Sequence, residues 1–359
     1  MKILILGGDG FIGSHLLQEH IKRGDECFII DINSIRTNST DDQYVKYIHD
    51  LSDNPYFFKC LLKEINPDLV YNCVAVATPA YYVKHPIETY DLDFNVNYNN
   101  ICLPLIEYGC PFIQFSTCEV YGKRWECVYT EDSDCILGAT TVPRWIYATS
   151  KIMLEQLLIS HKANCVIIRP QNFFGWDMDW LPGMESNTDK KWIPRLPAMC
   201  LNSIIYKSPF NVVLPGTQKR CYTHIDDGVS GILSIVDNFE KCSNYKDGPV
   251  FNIGNPYNEL TVDDIAKRFG VAFNRVYKEV SELKILEKYK DDTIITPDIR
   301  YVASEELYGK GYEDCERRLF STDRIYETTG WVPVTPITPS INEVVKSAII
   351  NYNRILYED

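Results

Sequence analysis

Short apolar runs alternate with longer amphipathic stretches through the first half of this 359-residue chain. The runs at 2–6, 27–30, 44–48, 67–73, 111–116 and 163–169 are dominated by apolar residues. Such runs suit strands buried on both faces of a parallel sheet. Helical patterns lie between them, from Ser14 to Gly24, over 91–105, and from Tyr147 onward. Strand alternating with helix up to residue 170 predicts a doubly wound parallel α/β sheet.

After Asn172 the pattern changes. Residues 176–187 are rich in Trp, Asp, Met, Pro and Gly and read as a loop or lid. Helices are predicted over 193–206, 260–269 and 341–351, and strands over 211–214 and 250–253. This implies a smaller, mixed C-terminal lobe that closes over the crevice. The expected division is 1–172 with a returning segment at about 215–255 for nucleotide binding, and 173–214 with 256–359 for the second ligand.

Composition narrows the picture. A net charge of −13 excludes a general nucleic-acid binder. The thirteen cysteines are odd in number and scattered, with no Cys-x-x-Cys, so no disulfide or zinc framework and no metal site is expected. They read as reduced core residues, which suggests the cytoplasm. The first apolar run, residues 3–6, ends in glycines and is too short for a leader or a membrane span.

The first strand runs into Gly7-Gly8-Asp9-Gly10-Phe11-Ile12-Gly13, and a helix follows. Gly7 permits the tight turn, Gly10 a close approach to a pyrophosphate, and Gly13 close packing of helix on strand. The phosphates would sit at the helix N-terminus, against Phe11 and Ile12. Asp31 ends the second strand, where an acid binds both adenosine ribose hydroxyls and repels a 2′-phosphate. That argues for NAD over NADP. Arg36 weakens the argument, but no basic residue follows Asp31 directly. Asp50 and Leu51 follow the third strand, where they border the adenine or, for Asp50, cap a helix. Ala75 and Ala77 follow the fourth strand and are small enough to pass beside the cofactor. The next helix carries Asn95, Asn97, Asn99 and Asn100, most of them expected in solvent.

Thr117, Cys118 and Glu119 stand at the end of the fifth strand, on the ligand side of an open parallel sheet. Tyr147 and Lys151 are spaced one helical turn apart on one face. A phenol is a poor base at neutral pH, and a lysine ammonium one turn away favours its phenolate. Such a tyrosine takes a proton from an alcohol while a hydride leaves the same carbon.

Together these residues resemble the extended short-chain dehydrogenase/reductases that act on nucleotide sugars, over essentially the full length. Within that family the chain is similar to the UDP-glucuronate decarboxylase and UDP-apiose/UDP-xylose synthase branch. The shared features are Ala77-Thr78-Pro79, Glu119-Val120-Tyr121-Gly122, Pro143-Arg144-Trp145, Gln218-Lys219-Arg220-Cys221, Ile253-Gly254-Asn255-Pro256 and Tyr308-Gly309-Lys310-Gly311-Tyr312 with Asp314 and Arg318. The run Ser116-Thr117-Cys118-Glu119 is that of the apiose synthase, as are Trp180-Leu181-Pro182-Gly183 and Ile193-Pro194-Arg195. The plant enzyme has a Cys where this chain has Thr149, and the bacterial decarboxylase has Ser where this chain has Cys118.

The resemblance implies a Rossmann-type fold, NAD as cofactor and a UDP-sugar substrate. It implies Tyr147 as base, Lys151 as its partner, and Thr117 on the reacting oxygen. Glu119 and Cys118 would handle protons near C5, and Arg318 would bind the carboxylate, with Asp314 pairing with Arg318. Asn172, Arg195, Lys219, Tyr222 and Arg318 would hold the UDP moiety or the carboxylate. Relatives pair through the helices at about 91–105 and 147–161, so a homodimer is expected. The competing readings are a 4-epimerase, a 4,6-dehydratase and a non-catalytic NAD-sensing regulator. A dehydratase pattern places Asp before the Glu, and Cys118 substitutes poorly for that acid. An epimerase needs neither Glu119 nor the 308–318 run, and a regulator usually loses the Tyr or Lys present here.

Overall fold

Side chains along the first strand, β1 (Lys2–Leu6), point alternately to two cores. Ile3 and Ile5 pack in one cluster with Leu16 and Leu17 of helix α1 (Phe11–Lys22). Leu4 and Leu6 pack in the other with Phe58, Leu61, Leu62 and Ile65 of helix α2 (Pro55–Ile65). Burial on both faces is what an apolar run without polar alternation requires. The structure is a computed structural model and describes residues 1–33, 37, 43–123, 128–178, 195–292 and 294–357.

β1 lies inside a seven-stranded sheet. β2 (Glu26–Asp31) and then β3 (Tyr44–Ile48) extend it on one side. β4 (Leu69–Asn72), β5 (Phe112–Phe115), β6 (Cys165–Pro170) and finally Val250–Ile253 extend it on the other. All neighbouring pairs are parallel. The strand order reverses between β1 and β4, so a crevice opens beyond their C-terminal ends. This is the Rossmann-type α/β fold that the pattern predicts. Several predicted ends move by a few residues. The fourth strand, for example, is Leu69–Asn72 rather than 67–73, because Asp68 turns to accept the Lys2 amide at 2.7 Å.

Beyond β6 the chain builds smaller sheets. Lys219–Cys221 pairs antiparallel with Glu259–Thr261 and parallel with Arg317–Arg318. Pro209–Val213 pairs parallel with Asp298–Val302. The last two predicted helices are longer than their apolar periodicity suggested, at Val262–Tyr277 and Ile337–Tyr357. Thr261 caps the first of them by accepting the Asp264 amide at 3.0 Å. Buried Asp227 accepts the amides of Val334 and Thr335 and the Thr335 hydroxyl, and so fixes the chain that enters the final helix. Most of the predicted lid at 176–187 lies outside the described residues, as do Trp180 to Gly183, Ile193, Pro194 and Arg36. Among the described residues no helix is long and apolar enough to cross a membrane. The described cysteines are free thiols, most of them buried.

The helix from Asp91 to Cys102 is wound as a π-helix. Asn97 is buried, donating to the carbonyls of Leu92 at 2.8 Å and Val74 at 3.2 Å. Asn100 donates to the Leu51 carbonyl at 2.9 Å. Only Asn95 and Asn99 are exposed, so the expected solvation of this set holds for half of it. Carbonyls of the neighbouring segments, Val74 after β4 and Leu51 before α2, draw the other two side chains inward.

A Cβ at Gly13 would lie 2.3 Å from the Gly7 carbonyl oxygen. Gly13→Ala is therefore expected to lower stability by about 1–3 kcal/mol and weaken NAD binding. Urea unfolding and a dinucleotide titration would check this, and wild-type values in both would refute the packing account.

Candidate active site

The turn after β1 is shaped for a dinucleotide. Gly7 adopts φ 74°, and its amide donates to the Ile30 carbonyl at 2.8 Å. Gly10 precedes α1 with no side chain to cap it, so the first amides of that helix are left for an anion. A Cβ at Gly10 would stand 3.1 Å from the Gly7 oxygen. Phe11 is buried and opens α1, with Ile12 partly buried beside it. Asp31 ends β2, its carboxylate accepting the amides of Asp9 at 2.8 Å and Asn33 at 3.3 Å. Lys46, on the neighbouring strand, is paired with Asp9 at 3.2 Å, the two side chains being buried, rather than with Asp31.

Ala75 and Ala77 lie in the extended segment after β4. Asp50 accepts the Ser52 amide at 2.8 Å in a turn, and Asn54, not Asp50, caps α2. Leu51 is buried beside it.

Tyr147 stands in the first turn of the helix Ile146–Ser160, and Lys151 follows one turn later. Both are buried. The Tyr147 ring stacks parallel to Tyr82 with centroids 5.2 Å apart, and its hydroxyl is hydrogen-bonded to the Thr117 side chain. Lys151 Nζ lies 5.9 Å from the Tyr147 ring centroid and 3.2 Å from Asp93 Oδ1. It has no well-directed hydrogen-bond partner among the described residues. A buried, underused ammonium beside the crevice suits the hydroxyls of a nicotinamide ribose. Burial, Asp93 and Glu119 push the Tyr147 phenol well above its usual range, against the Thr117 hydrogen bond. Proximity of Lys151 therefore does not produce the expected phenolate, because burial above all, and then Asp93 and Glu119, disfavour it.

Glu119 occupies the opposite wall. Its two oxygens take a bidentate clasp from Arg144, at 2.7 and 2.9 Å. Tyr82 donates to it at 3.0 Å and Arg318 Nη1 approaches to 3.5 Å. Burial works to raise the Glu119 carboxyl, but the two guanidiniums outweigh it and hold it down at about 2. Cys118 is buried with Sγ 3.9 Å from Arg318 Nη1, and burial pushes its thiol up despite that charge. The Arg318 Nε–H has no partner among the described residues.

The structure thus brings Thr117, Cys118, Glu119, Tyr147, Lys151 and Arg318 to one site. Asn172 adopts φ 41° and donates to the Cys221 carbonyl at 2.9 Å, while Tyr222 is buried edge-on to Phe174. Lys219 is exposed, and its neighbour Arg220 pairs with Asp314 at 2.5 Å. The expected Asp314–Arg318 pair is therefore not formed, because strand register sets Arg220 beside Arg318 and nearer to Asp314. Arg195 is stacked 5.4 Å over the Phe11 ring, at the phosphate end of α1. Sequence reasoning missed Arg144, Tyr82 and Asp93 as site residues. Arg144 stands three residues before Tyr147, a spacing that hinted at a shared face.

The family model described as "NAD dependent epimerase/dehydratase family" matches residues 3–254. The chain belongs to this family. Its cofactor is accordingly NAD, which the glycine turn, Asp31 and Lys151 fit. This epimerase/dehydratase family member is 28% identical to "UDP-D-apiose/UDP-D-xylose synthase" of Oryza sativa subsp. japonica, over 94% of this chain and 86% of the relative. It is also 28% identical to "Bifunctional polymyxin resistance protein ArnA" of Wigglesworthia glossinidia brevipalpis, over 98% of this chain and 51% of that protein. Among solved structures, PbgP3 protein from Burkholderia pseudomallei shares the fold with a TM-score of 0.78 at 24% identity, covering 97% of this chain and 96% of that one.

The Glu119 carboxylate contributes stability that is complete above its unfolded value near 4.5 and is lost as pH falls through about 2. Arg144→Met would leave that buried charge to Arg318 alone. The expected loss is about 3 kcal/mol at pH 7, smaller at pH 4 where Glu119 can take up a proton. Urea unfolding at the two pH values would measure it, and an equal loss at both would disprove the charge account.

Proposed function

We propose that this protein decarboxylates UDP-glucuronate oxidatively with NAD, through a UDP-4-keto sugar, giving UDP-apiose, UDP-xylose or the UDP-4-keto-pentose. One observation carries the reading. Arg318 is buried against Cys118 and Glu119 with an unpaired Nε–H, so a guanidinium with a spare donor stands beside the residues read as acting at C5 and suits a sugar carboxylate. Relatives named for UDP-apiose and UDP-xylose synthesis support it.

Thr117 and Tyr147 hold the C4 oxygen, and Tyr147 takes its proton. The glycine turn, Asp31 and Lys151 would hold NAD, which would supply a hydride acceptor for that carbon and a donor for its return. A ketone at C4 is β to the carboxylate, so the electron pair left by departing CO₂ delocalises into it. Arg318 orients the carboxylate. Glu119, held ionised, accepts protons rather than giving them, and the protonated Cys118 thiol can donate one to carbon. Arg195 and Lys219 supply cations for the diphosphate, with Asn172 and Tyr222 beside the uridine.

UDP-glucuronate labelled at the carboxyl carbon, incubated with NAD⁺ and followed by NMR, tests this. Label is expected in CO₂ and a pentose in the nucleotide sugar. Tyr147→Phe should cut turnover by roughly 10²–10⁴-fold while still binding NAD. Retained label with an inverted C4 would favour a 4-epimerase, and failure of Tyr147→Phe to slow the reaction would remove the base from the mechanism.

We further read the protein as a homodimer. The helix Ile146–Ser160 packs on the Asp91–Cys102 helix, tied by Tyr98 to His161 at 2.8 Å. The two helices, with the short helix Pro86–Tyr90 before them, leave Tyr90, Met153 and Ile159 exposed. Light scattering should give twice the 41.4 kDa chain mass, with Met153→Glu shifting it to one. A wild-type monomer at micromolar concentration would refute the pairing.

A further inference from the structure

Asp93 is a fully buried carboxylate that neither the glycine turn nor the Tyr/Lys pair requires. It stands on the π-helix, and three observations place it in the working parts of the site. Asp93 Oδ1 is 3.2 Å from Lys151 Nζ, the pair being closed off from solvent. Both Asp93 oxygens accept the Val76 amide at 3.3 Å. Four residues on, Asn97 grips the same segment through the Val74 carbonyl. The π-helix thus holds the chain leaving β4 by two side chains on one face, and one of them also holds Lys151.

We propose that Asp93 is a positioning residue that fixes the Lys151 ammonium and the Val76 amide to one another and sets a compensating negative charge beside Tyr147. The proposal rests on the reading of Tyr147 as base and Lys151 as its partner. An isolated ammonium in this interior would be costly, and so would an isolated carboxylate; together they are retained. Burial lifts the Asp93 carboxyl to about 6, with Lys151 opposing. Asp93 in turn opposes loss of the Tyr147 proton. The other groups facing this cluster are the thiols of Cys73 and Cys102 near Lys151, and Glu119 and Cys118 near Tyr147. Arg144 and Arg318 offset much of the Glu119 charge, and Asp93 has the larger effect of the two carboxylates on the phenol. Tyr147 is then held protonated until a further positive charge, such as an oxidised nicotinamide ring, enters the crevice.

The test reads the phenolate directly. The 295 nm absorbance of the NAD⁺-bound protein is titrated with pH, and the Tyr147→Phe trace is subtracted to isolate Tyr147. Asp93→Asn keeps an acceptor for Val76 but removes the charge. Its Tyr147 midpoint is expected at least about one pH unit below wild type, and Asp93→Glu should stay near wild type. An unchanged or raised midpoint in Asp93→Asn overturns the proposal. Should that variant fail to fold, Asp93→Ser takes its place, keeping a small polar side chain near Val76 without the charge. Its midpoint should also fall below wild type, and an unchanged or raised midpoint overturns the proposal. No sugar is present in these titrations, so a mistaken substrate would leave them untouched and would show only in the UDP-glucuronate assay.

Discussion

The clasp of Arg144 on Glu119 is the contact on which the site depends. It joins the turn after β5 to the start of the Tyr147 helix. Arg318 then brings in the small sheet of the C-terminal lobe. Three parts of the chain, far apart in sequence, meet on one carboxylate. Two guanidiniums around it keep it ionised, and Tyr82 completes its hydrogen bonds. Removing any one leaves the carboxylate less fully compensated, which is why such a cluster behaves as a unit.

That geometry also places Tyr147. Thr117 caps the short turn that carries Glu119, through its hydroxyl to the Glu119 amide at 3.2 Å. The same side chain meets the Tyr147 hydroxyl. Tyr82 bridges the two walls, stacking on Tyr147 and donating to Glu119. Behind the site, Glu155 on the Tyr147 helix binds Arg169 at 2.6 Å and so ties that helix to β6. Tyr147 and Lys151 are therefore carried on a packed helix, with the crevice between β1 and β4 left for the dinucleotide.

The legible parts of this protein were those whose chemistry is local. The glycines at 7, 10 and 13 follow a strand and open a helix, so their purpose could be read from spacing, and the contacts at Gly13 agree with it. Tyr147 and Lys151 share a helical face by arithmetic alone. Arg144 and Asp93 were not legible as site residues. Their partners Glu119 and Lys151 lie 25 and 58 residues away, and each partner is reached only when separate elements pack. Asp314 was misassigned for the same reason. In sequence it stands four residues from Arg318, but the register of Arg317–Arg318 on Lys219–Cys221 presents it to Arg220. The polar run at 95–100 misled because the carbonyls that Asn97 and Asn100 satisfy, Val74 and Leu51, lie more than twenty residues away in sequence.

The sequence by itself determined the doubly wound sheet, the dinucleotide turn, the acidic end of β2 and the shared helical face of Tyr147 and Lys151. These follow from periodicity and from residues within one turn of each other. Only the tertiary structure decided the electrostatics. Whether Lys151 acts on Tyr147 unopposed, whether Glu119 is charged, and which guanidinium keeps a free donor all depend on groups brought within about 4 Å by packing, where Coulomb energies in a buried site outweigh intrinsic acidity.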